Sequence, residues 1–167
     1  GGLSFSAAPR PCEAVVRLVR EATRLPIWAK LTPNVTDIAE IARAAEAGGA
    51  DAVSCVNTFV AMAVDWRRKK AVISTGTGGL SGPAIKPIAL RMVYDVHRAV
   101  KIPVLGIGGI RDAEDVLEFL AAGARAVEVG TATFADPFVI PKILADLPRL
   151  LEEGGFSKVE DAVGTLR

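Results

Sequence analysis

Ile102-Pro103-Val104-Leu105-Gly106-Ile107-Gly108-Gly109-Ile110, then a helical pattern over Asp112 to Ala122, then Gly123-Ala124-Arg125-Ala126-Val127-Glu128-Val129-Gly130-Thr131 alternate in the manner of an α/β unit. Val104 to Ile107 and Ala126 to Val129 are short apolar runs of strand length. Between them Val116, Leu117, Leu120 and Ala121 recur at helical spacing on one face. Gly123 supplies a helix stop, and the unit reads strand, helix, strand. An earlier stretch repeats it: Leu25-Pro26-Ile27-Trp28-Ala29-Lys30-Leu31, a helical pattern from Asp37 to Ala47 with Ile38, Ile41, Ala42 and Ala45 on one face, and a Gly48 stop. Its second strand runs through Ala52 to Val56 and closes at Thr58.

Working outward, a leading helix is expected at about Pro11 to Thr23, a long one at about Pro83 to Val100 and a C-terminal one at about Pro137 to Glu153. Four strands, Ile27 to Leu31, Ala52 to Val56, Val104 to Ile107 and Ala126 to Val129, then alternate with helices, as in a parallel α/β sheet. Repeated units of this kind suit half of a (β/α)8 TIM barrel, whose complete form needs about 250 residues. A doubly wound open sheet fits the same periodicity. The connection from Thr58 to Gly82 is long enough to be a functional loop or lid, with a small hairpin in its Val64-Asp65-Trp66-Arg67-Arg68-Lys69-Lys70-Ala71-Val72-Ile73 centre.

The chain has 167 residues, half of them hydrophobic, enough for one buried core. Its 20 Lys and Arg nearly balance 19 Asp and Glu, so no electrostatic footprint calls for nucleic acid or an anionic membrane. Mean hydropathy is +0.34, yet no apolar run approaches the ~18 residues of a membrane span. That combination suggests elements buried on both faces. Cys12, Cys55 and the lone His97 support neither a disulfide framework nor a Cys/His metal site. A reducing, cytoplasmic compartment is the expectation. The start at Gly1 without an initiator Met suggests a piece of a longer chain, so residues 1–167 are expected to form a single partial domain.

Ligands of parallel α/β folds sit beyond the carboxyl ends of the strands. There stand Gly108-Gly109 after the third strand and Gly130-Thr131 after the fourth. Such turns let backbone N–H groups approach an anion, although a single glycine turn on its own reads more simply as a tight bend. Their repetition at matching positions favours phosphate. Lys30, in a strand expected to be covered on both sides, needs an anionic or electron-rich partner, unless Trp28 and Lys30 face solvent on an edge strand. Asn57 and Thr58 close the second strand with groups that can read a planar ring bearing C=O and N–H, or simply make a turn. Gly78-Gly79-Leu80-Ser81-Gly82-Pro83 is expected to be a flexible loop, offering N–H groups or a movable lid. Cys12 and Cys55 fall in element interiors and read as small core residues. No general base stands out.

Five motifs in register, Lys30 to Ile38, Val56 to Thr58, Gly78 to Pro87, Gly106 to Ile110 and Val129 to Phe138, resemble the catalytic subunits of NAD-linked, two-subunit dihydroorotate dehydrogenases. The resemblance covers essentially the whole chain and about the C-terminal half of that family's FMN-binding (β/α)8 barrel. It implies flavin contacts at Lys30, Val56, Gly82, Gly108, Gly109, Gly130 and Thr131. The pyrimidine ring would be held at Asn57 and Thr58. The implied reaction oxidises dihydroorotate to orotate in pyrimidine biosynthesis. A base removes the C5 proton as hydride passes from C6 to flavin N5, and Lys30 stabilises charge on the reduced ring. Electrons leave through a partner subunit carrying FAD and an iron–sulfur cluster.

Departures from the family accompany this. The family's base is a cysteine in a C-P-N motif upstream of a segment resembling Gly1-Gly2-Leu3-Ser4-Phe5; no C-P-N occurs here, so no catalytic residue is assigned and the chain alone is expected to be inactive. Ala61 replaces a usual glycine, and Ser74-Thr75-Gly76 replaces Ala-Asn-Ile or Ala-Asn-Val. A dihydropyrimidine dehydrogenase domain shares the Lys30 to Asn34 motif but characteristically differs at Leu80-Ser81. A non-catalytic phosphate-binding half-barrel, self-associating through open sheet edges, is the alternative from another class. Homo-oligomerisation is expected either way.

Overall fold

Two strand–helix–strand units meet side by side in a single parallel sheet. A computed structural model describes residues 5–166; Gly1 to Ser4, likened above to the family's segment after its C-P-N motif, lie outside them. After a short 3-10 turn, helix α1 (Pro9–Ala22) leads into strand β1 (Trp28–Leu31), helix α2 (Ile38–Ala47) and strand β2 (Ala52–Cys55). An excursion of short strands follows: β3 (Phe59–Ala61), β4 (Val64–Asp65), β5 (Lys70–Ala71) and β6 (Gly78–Leu80). Helix α3 (Lys86–His97), strand β7 (Val104–Ile107), helix α4 (Ala113–Ala121), strand β8 (Ala126–Glu128) and helices α5 (Ala132–Ala135) and α6 (Val139–Glu153) complete the order. The main sheet runs β1-β2-β7-β8, every neighbour parallel. This is a partial α/β barrel, as the repeat implied.

The two units are built alike at their helix starts. Asp37 accepts hydrogen bonds from the N–H groups of Ala39 and Glu40, and Asp112 accepts from that of Asp115. Each Asp therefore satisfies donors that a helix N-terminus leaves orphaned. At the other ends the left-handed residues are Gly49 (φ +96°) and Gly123 (φ +111°). Gly48, the stop expected for α2, is right-handed there. The helical faces pack on one side of the sheet. Phe119 of α4 lies so close to β7 that a Cβ on Gly106 would stand 2.5 Å from its ring. Phe119, Leu31, Leu120, Val53, Val93, Val96 and Val104 are fully buried in the core, each side chain contributing about 1.5–3 kcal/mol by leaving water.

The middle strand β2 is buried at every position, as a strand flanked by neighbours and covered by helices must be. β1 is a sheet edge, and here an expectation fails: Lys30 is not enclosed. Trp28 is 63% exposed and the Lys30 side chain 46%, because both alternate onto the face away from the helices. The solvent-facing edge reading is the one realised.

The connection from Thr58 to Gly82 is likewise more ordered than a lid. β3 pairs antiparallel with β6, and β4 with β5 across the expected small hairpin. Asp65 Oδ1 accepts from the N–H groups of Arg67 and Arg68 and shapes its turn. Ala61 faces Gly78 in the β3–β6 ladder, and Ser74 to Gly76 form a bend before β6. The Gly78–Leu80 segment expected as a flexible loop is therefore a paired strand. Pro83 opens a 3-10 turn, Pro83–Ile85, and α3 itself begins at Lys86.

Candidate functional site

A cavity of about 500 Å³ opens at the carboxyl ends of the four parallel strands, within the range of small-ligand sites. Lys30 reaches it from β1; Val56, Asn57 and Thr58 from the end of β2; Gly82 from the β6 loop; Gly108 and Gly109 from the end of β7; Gly130 and Thr131 from the end of β8. Every sequence-predicted position lines this one space. Between the ends its wall is apolar, with Ile85, Ile107, Ile110 and Val139. Lys30 comes from the first strand of the sheet and Gly130 follows the fourth, so all four strands contribute to the lining.

The glycine end is shaped by close backbone packing. Gly109 has φ +82°, and a Cβ there would lie 2.8 Å from the Gly82 carbonyl oxygen and 3.0 Å from Lys86 Cβ. Gly108 has φ +142°, and its Cβ would meet that of Ala89 at 2.8 Å. A side chain is thus excluded twice over, by torsion and by space. At Gly130 nothing lies within 4 Å of a Cβ, so bare backbone faces open space. Thr131 Oγ1 and Ser81 Oγ are hydrogen-bonded at 2.8 Å, tying the β6 loop to the end of β8. Arg111, which the glycine pattern alone did not single out, also lines the wall, its Nε 3.6 Å from Asp115 Oδ2. Ser81 and Phe134 were also missed, although Ser81 stood inside a quoted motif.

A buried carboxylate fixes this end. Asp115 is 2% exposed; its Oδ1 accepts from Lys86 Nζ, and its Oδ2 accepts from the Arg111 N–H at 2.8 Å. Burial pushes the Asp115 carboxyl up, but the Lys86 and Arg111 hydrogen bonds and charges together hold it below the usual carboxylate range. Lys86, bridged also to Glu118 at 2.8 Å, is raised by its hydrogen bonds to both acids. The turn that carries Gly108 and Gly109 is thereby pinned to α3 and α4.

At the other end the Asn57 N–H donates to the Leu31 carbonyl at 2.9 Å. Asn57 Oδ1 accepts from the Thr58 N–H at 2.8 Å, which leaves mainly the amide NH2 to donate. The turn-making role and the lining role coexist. Asn34, from the Lys30 to Asn34 motif, braces this turn: its Nδ2 donates to the Thr58 carbonyl at 3.0 Å and its Oδ1 accepts from the Val60 N–H at 2.9 Å. Lys30 Nζ stands 3.9 Å from Glu128 Oε2, and Ser54 Oγ donates to Glu128 Oε1. Neither Ser54 nor Glu128 figured among the sequence candidates.

Among the described residues, neither cysteine nor the histidine is poised as a base at the cavity. Burial first, and then the Glu128 charge, push the Cys55 thiol up to about 12; burial raises Cys12 as well. Both cysteines are free and buried. His97 ends α3 and lines a different depression, with Arg125 and Glu160. Among the described residues no His, Cys, Asp and Glu group could hold a metal ion, and no helix is long and apolar enough to cross a membrane.

The dihydroorotate dehydrogenase family profile matches residues 1–151. The chain is 51% identical over 164 residues to the dihydroorotate dehydrogenase B (NAD(+)) catalytic subunit of Geobacillus kaustophilus, covering 98% of this chain and 52% of that protein. It is 50% identical to the subunit of the same name from Bacillus caldolyticus, with 98% and 52% covered. For that from Halalkalibacterium halodurans the identity is 48%, with 98% and 54% covered. The chain thus spans about half the length of the curated relatives it matches. The C-terminal placement expected above draws no support from these matches, which give the share of each relative covered and not its position. With a partial α/β barrel, a cavity at its strand ends and these matches together, the chain belongs to the dihydroorotate dehydrogenase family.

Proposed function

We propose that the cavity binds FMN and that the chain takes part in the oxidation of dihydroorotate to orotate, a step of pyrimidine biosynthesis. The observation that carries this reading is the convergence of Lys30, Val56, Gly82, Gly108, Gly109, Gly130 and Thr131 on one apolar-walled space. Its two ends differ in a way that suits such a ligand. Glycine backbone that admits no Cβ, with Arg111 beside it, suits a phosphate; Lys30 suits the electron-rich edge of a ring. Val56 and Ile107 offer apolar surface to a flat ring system. When bound, FMN would supply the two-electron chemistry that no side chain here can.

Asn57 and Thr58 would hold the pyrimidine ring, Asn57 chiefly by donating from its amide NH2. Asn34 keeps that turn in place through its two backbone contacts. The raised, buried thiols and the remote His97 are not placed to act as the base, and we take the base to come from outside residues 1–167. We read residues 1–167 as a partial domain. The printed name of the relatives, a type B catalytic subunit linked to NAD(+), supports an electron-transfer partner, which we take to carry FAD and an iron–sulfur cluster. Val60, Met62, Val64 and Trp66 are exposed on the β3–β6 excursion, the kind of apolar surface that a second copy or that partner covers. Two buried free thiols accord with the cytoplasm.

The test is to purify the protein with added FMN, remove free flavin, and identify what is released on denaturation. One FMN per chain, with an absorption spectrum perturbed by dihydroorotate or orotate, is expected. A protein that retains no FMN contradicts the proposal.

A further inference from the structure

We propose that Glu128 is a positioning residue for Lys30: clasped by Ser54, it fixes where the ammonium stands and offsets part of the positive charge that Lys30 presents to a bound flavin ring. The inference rests on the FMN reading above, but it concerns two residues that reading does not use.

Strand register puts Lys30 of β1 beside Ser54 of β2, and alternation puts Glu128 of β8 on the same helix-free face. Ser54 is 2% exposed and gives its hydroxyl proton to Glu128 Oε1. That leaves Oε2 for the Lys30 ammonium, 3.9 Å away. Lys30 lines the cavity and Glu128 does not, so the lysine is the member of the pair that meets a ligand there. The surrounding run, Ala126-Val127-Glu128-Val129, is otherwise apolar. The Glu128 side chain is only partly exposed, and there Ser54 hydrogen-bonds one oxygen while Lys30 stands near the other. The negative charge is felt nearby, since Glu128 contributes to the raised Cys55 thiol.

In water an ion pair at this distance is weak. A ligand filling the cavity removes water from the lysine's exposed side and strengthens every charge interaction there. The negative charge that a flavin ring takes up on reduction would then be met by a lysine already partly neutralised. Glu128 would hold the bound flavin at a lower potential than Lys30 alone would set.

The readout is the midpoint potential of FMN bound to the wild-type protein and to Glu128→Gln, Ser54→Ala, Lys30→Met and the double variant Lys30→Met with Glu128→Gln. Glu128→Gln keeps hydrogen-bonding atoms and removes the charge. It should favour the reduced flavin about tenfold, a rise of about 30 mV for a two-electron couple. Ser54→Ala, which only loosens the carboxylate, should give a smaller rise. In the Lys30→Met background, Glu128→Gln should raise the potential less, because only the through-space charge and no longer the hold on the ammonium is then removed. An unchanged or lower potential in both single variants overturns the inference, as does an equal rise with Lys30 absent. Wild-type protein without bound FMN overturns the FMN reading and this inference together, whereas bound FMN with an unmoved potential overturns this one alone.

Discussion

Replacing Asp115 by Asn removes one charge and little volume at a side chain that is only 2% exposed. The wild-type carboxylate uses both oxygens, Oδ1 toward Lys86 Nζ and Oδ2 toward the Arg111 N–H. An asparagine has one acceptor oxygen, so its NH2 must face one of those two donors. The variant therefore loses a charge-assisted hydrogen bond and sets a donor against a donor. A hydrogen bond to a charged group contributes about 1.5–3 kcal/mol, and breaking a buried ion pair costs about 3–5 kcal/mol. Lys86 keeps Glu118 at 2.8 Å and is itself partly exposed, which places the loss lower, at about 2–4 kcal/mol. For a chain of this size that is about 5–15 °C in Tm. The sign of the pH dependence follows from the shifts. Asp115 titrates below its ordinary 3.8 in the folded state, so its contribution is present above that pH and is lost as pH falls through the folded value. Lys86 is raised above 10.5, so its contribution is present below 10.5 and is lost only as pH rises through its own folded value. Urea unfolding of wild type and Asp115→Asn should differ fully at pH 7, and the gap should close as pH is taken below 3.8. A variant as stable as wild type at pH 7, or a gap that persists undiminished in acid, would refute the reasoning.

Gly109→Ala must adopt φ +82° and place its Cβ 2.8 Å from the Gly82 carbonyl; at about 1–2 kcal/mol for the torsion alone Tm should fall by about 2–8 °C, and as the turn shifts to relieve the clash, FMN affinity measured by calorimetry should fall too. Undiminished affinity would show that the turn does not shape the site. Cys12 and Cys55 should resist a thiol reagent at neutral pH and both react once urea unfolds the chain, because burial raises both thiols; rapid reaction in the native protein would contradict their placement in the core.

The parallel sheet and its strand ends were legible because helical and apolar-run periodicities repeated in the same order, from Leu25 to Thr58 and from Ile102 to Thr131. The site positions were legible for a related reason: glycines and short polar residues after strands mark where backbone or ligand must come close. What lay beyond sequence was mutual placement. Lys30 looked enclosed because its strand is apolar, but an edge position and alternation onto the helix-free face expose it. Glu128 was not singled out, since its partners lie on other strands, Ser54 on β2 and Lys30 on β1. The Gly78–Leu80 segment read as loose for want of side chains, although its backbone pairs with Phe59–Ala61. A Cβ on Gly79 would stand 2.3 Å from Thr58 Oγ1, so the glycine there admits the neighbouring strand rather than granting mobility.

The most direct measurement is a crystal structure of the protein with FMN. The account predicts the phosphate within hydrogen-bond distance of backbone N–H groups at the Gly108-Gly109 and Gly130-Thr131 turns, and the ring system against Val56 with its polar edge at Lys30. A flavin bound elsewhere, or seated in the reverse sense with its phosphate at Lys30, would contradict it.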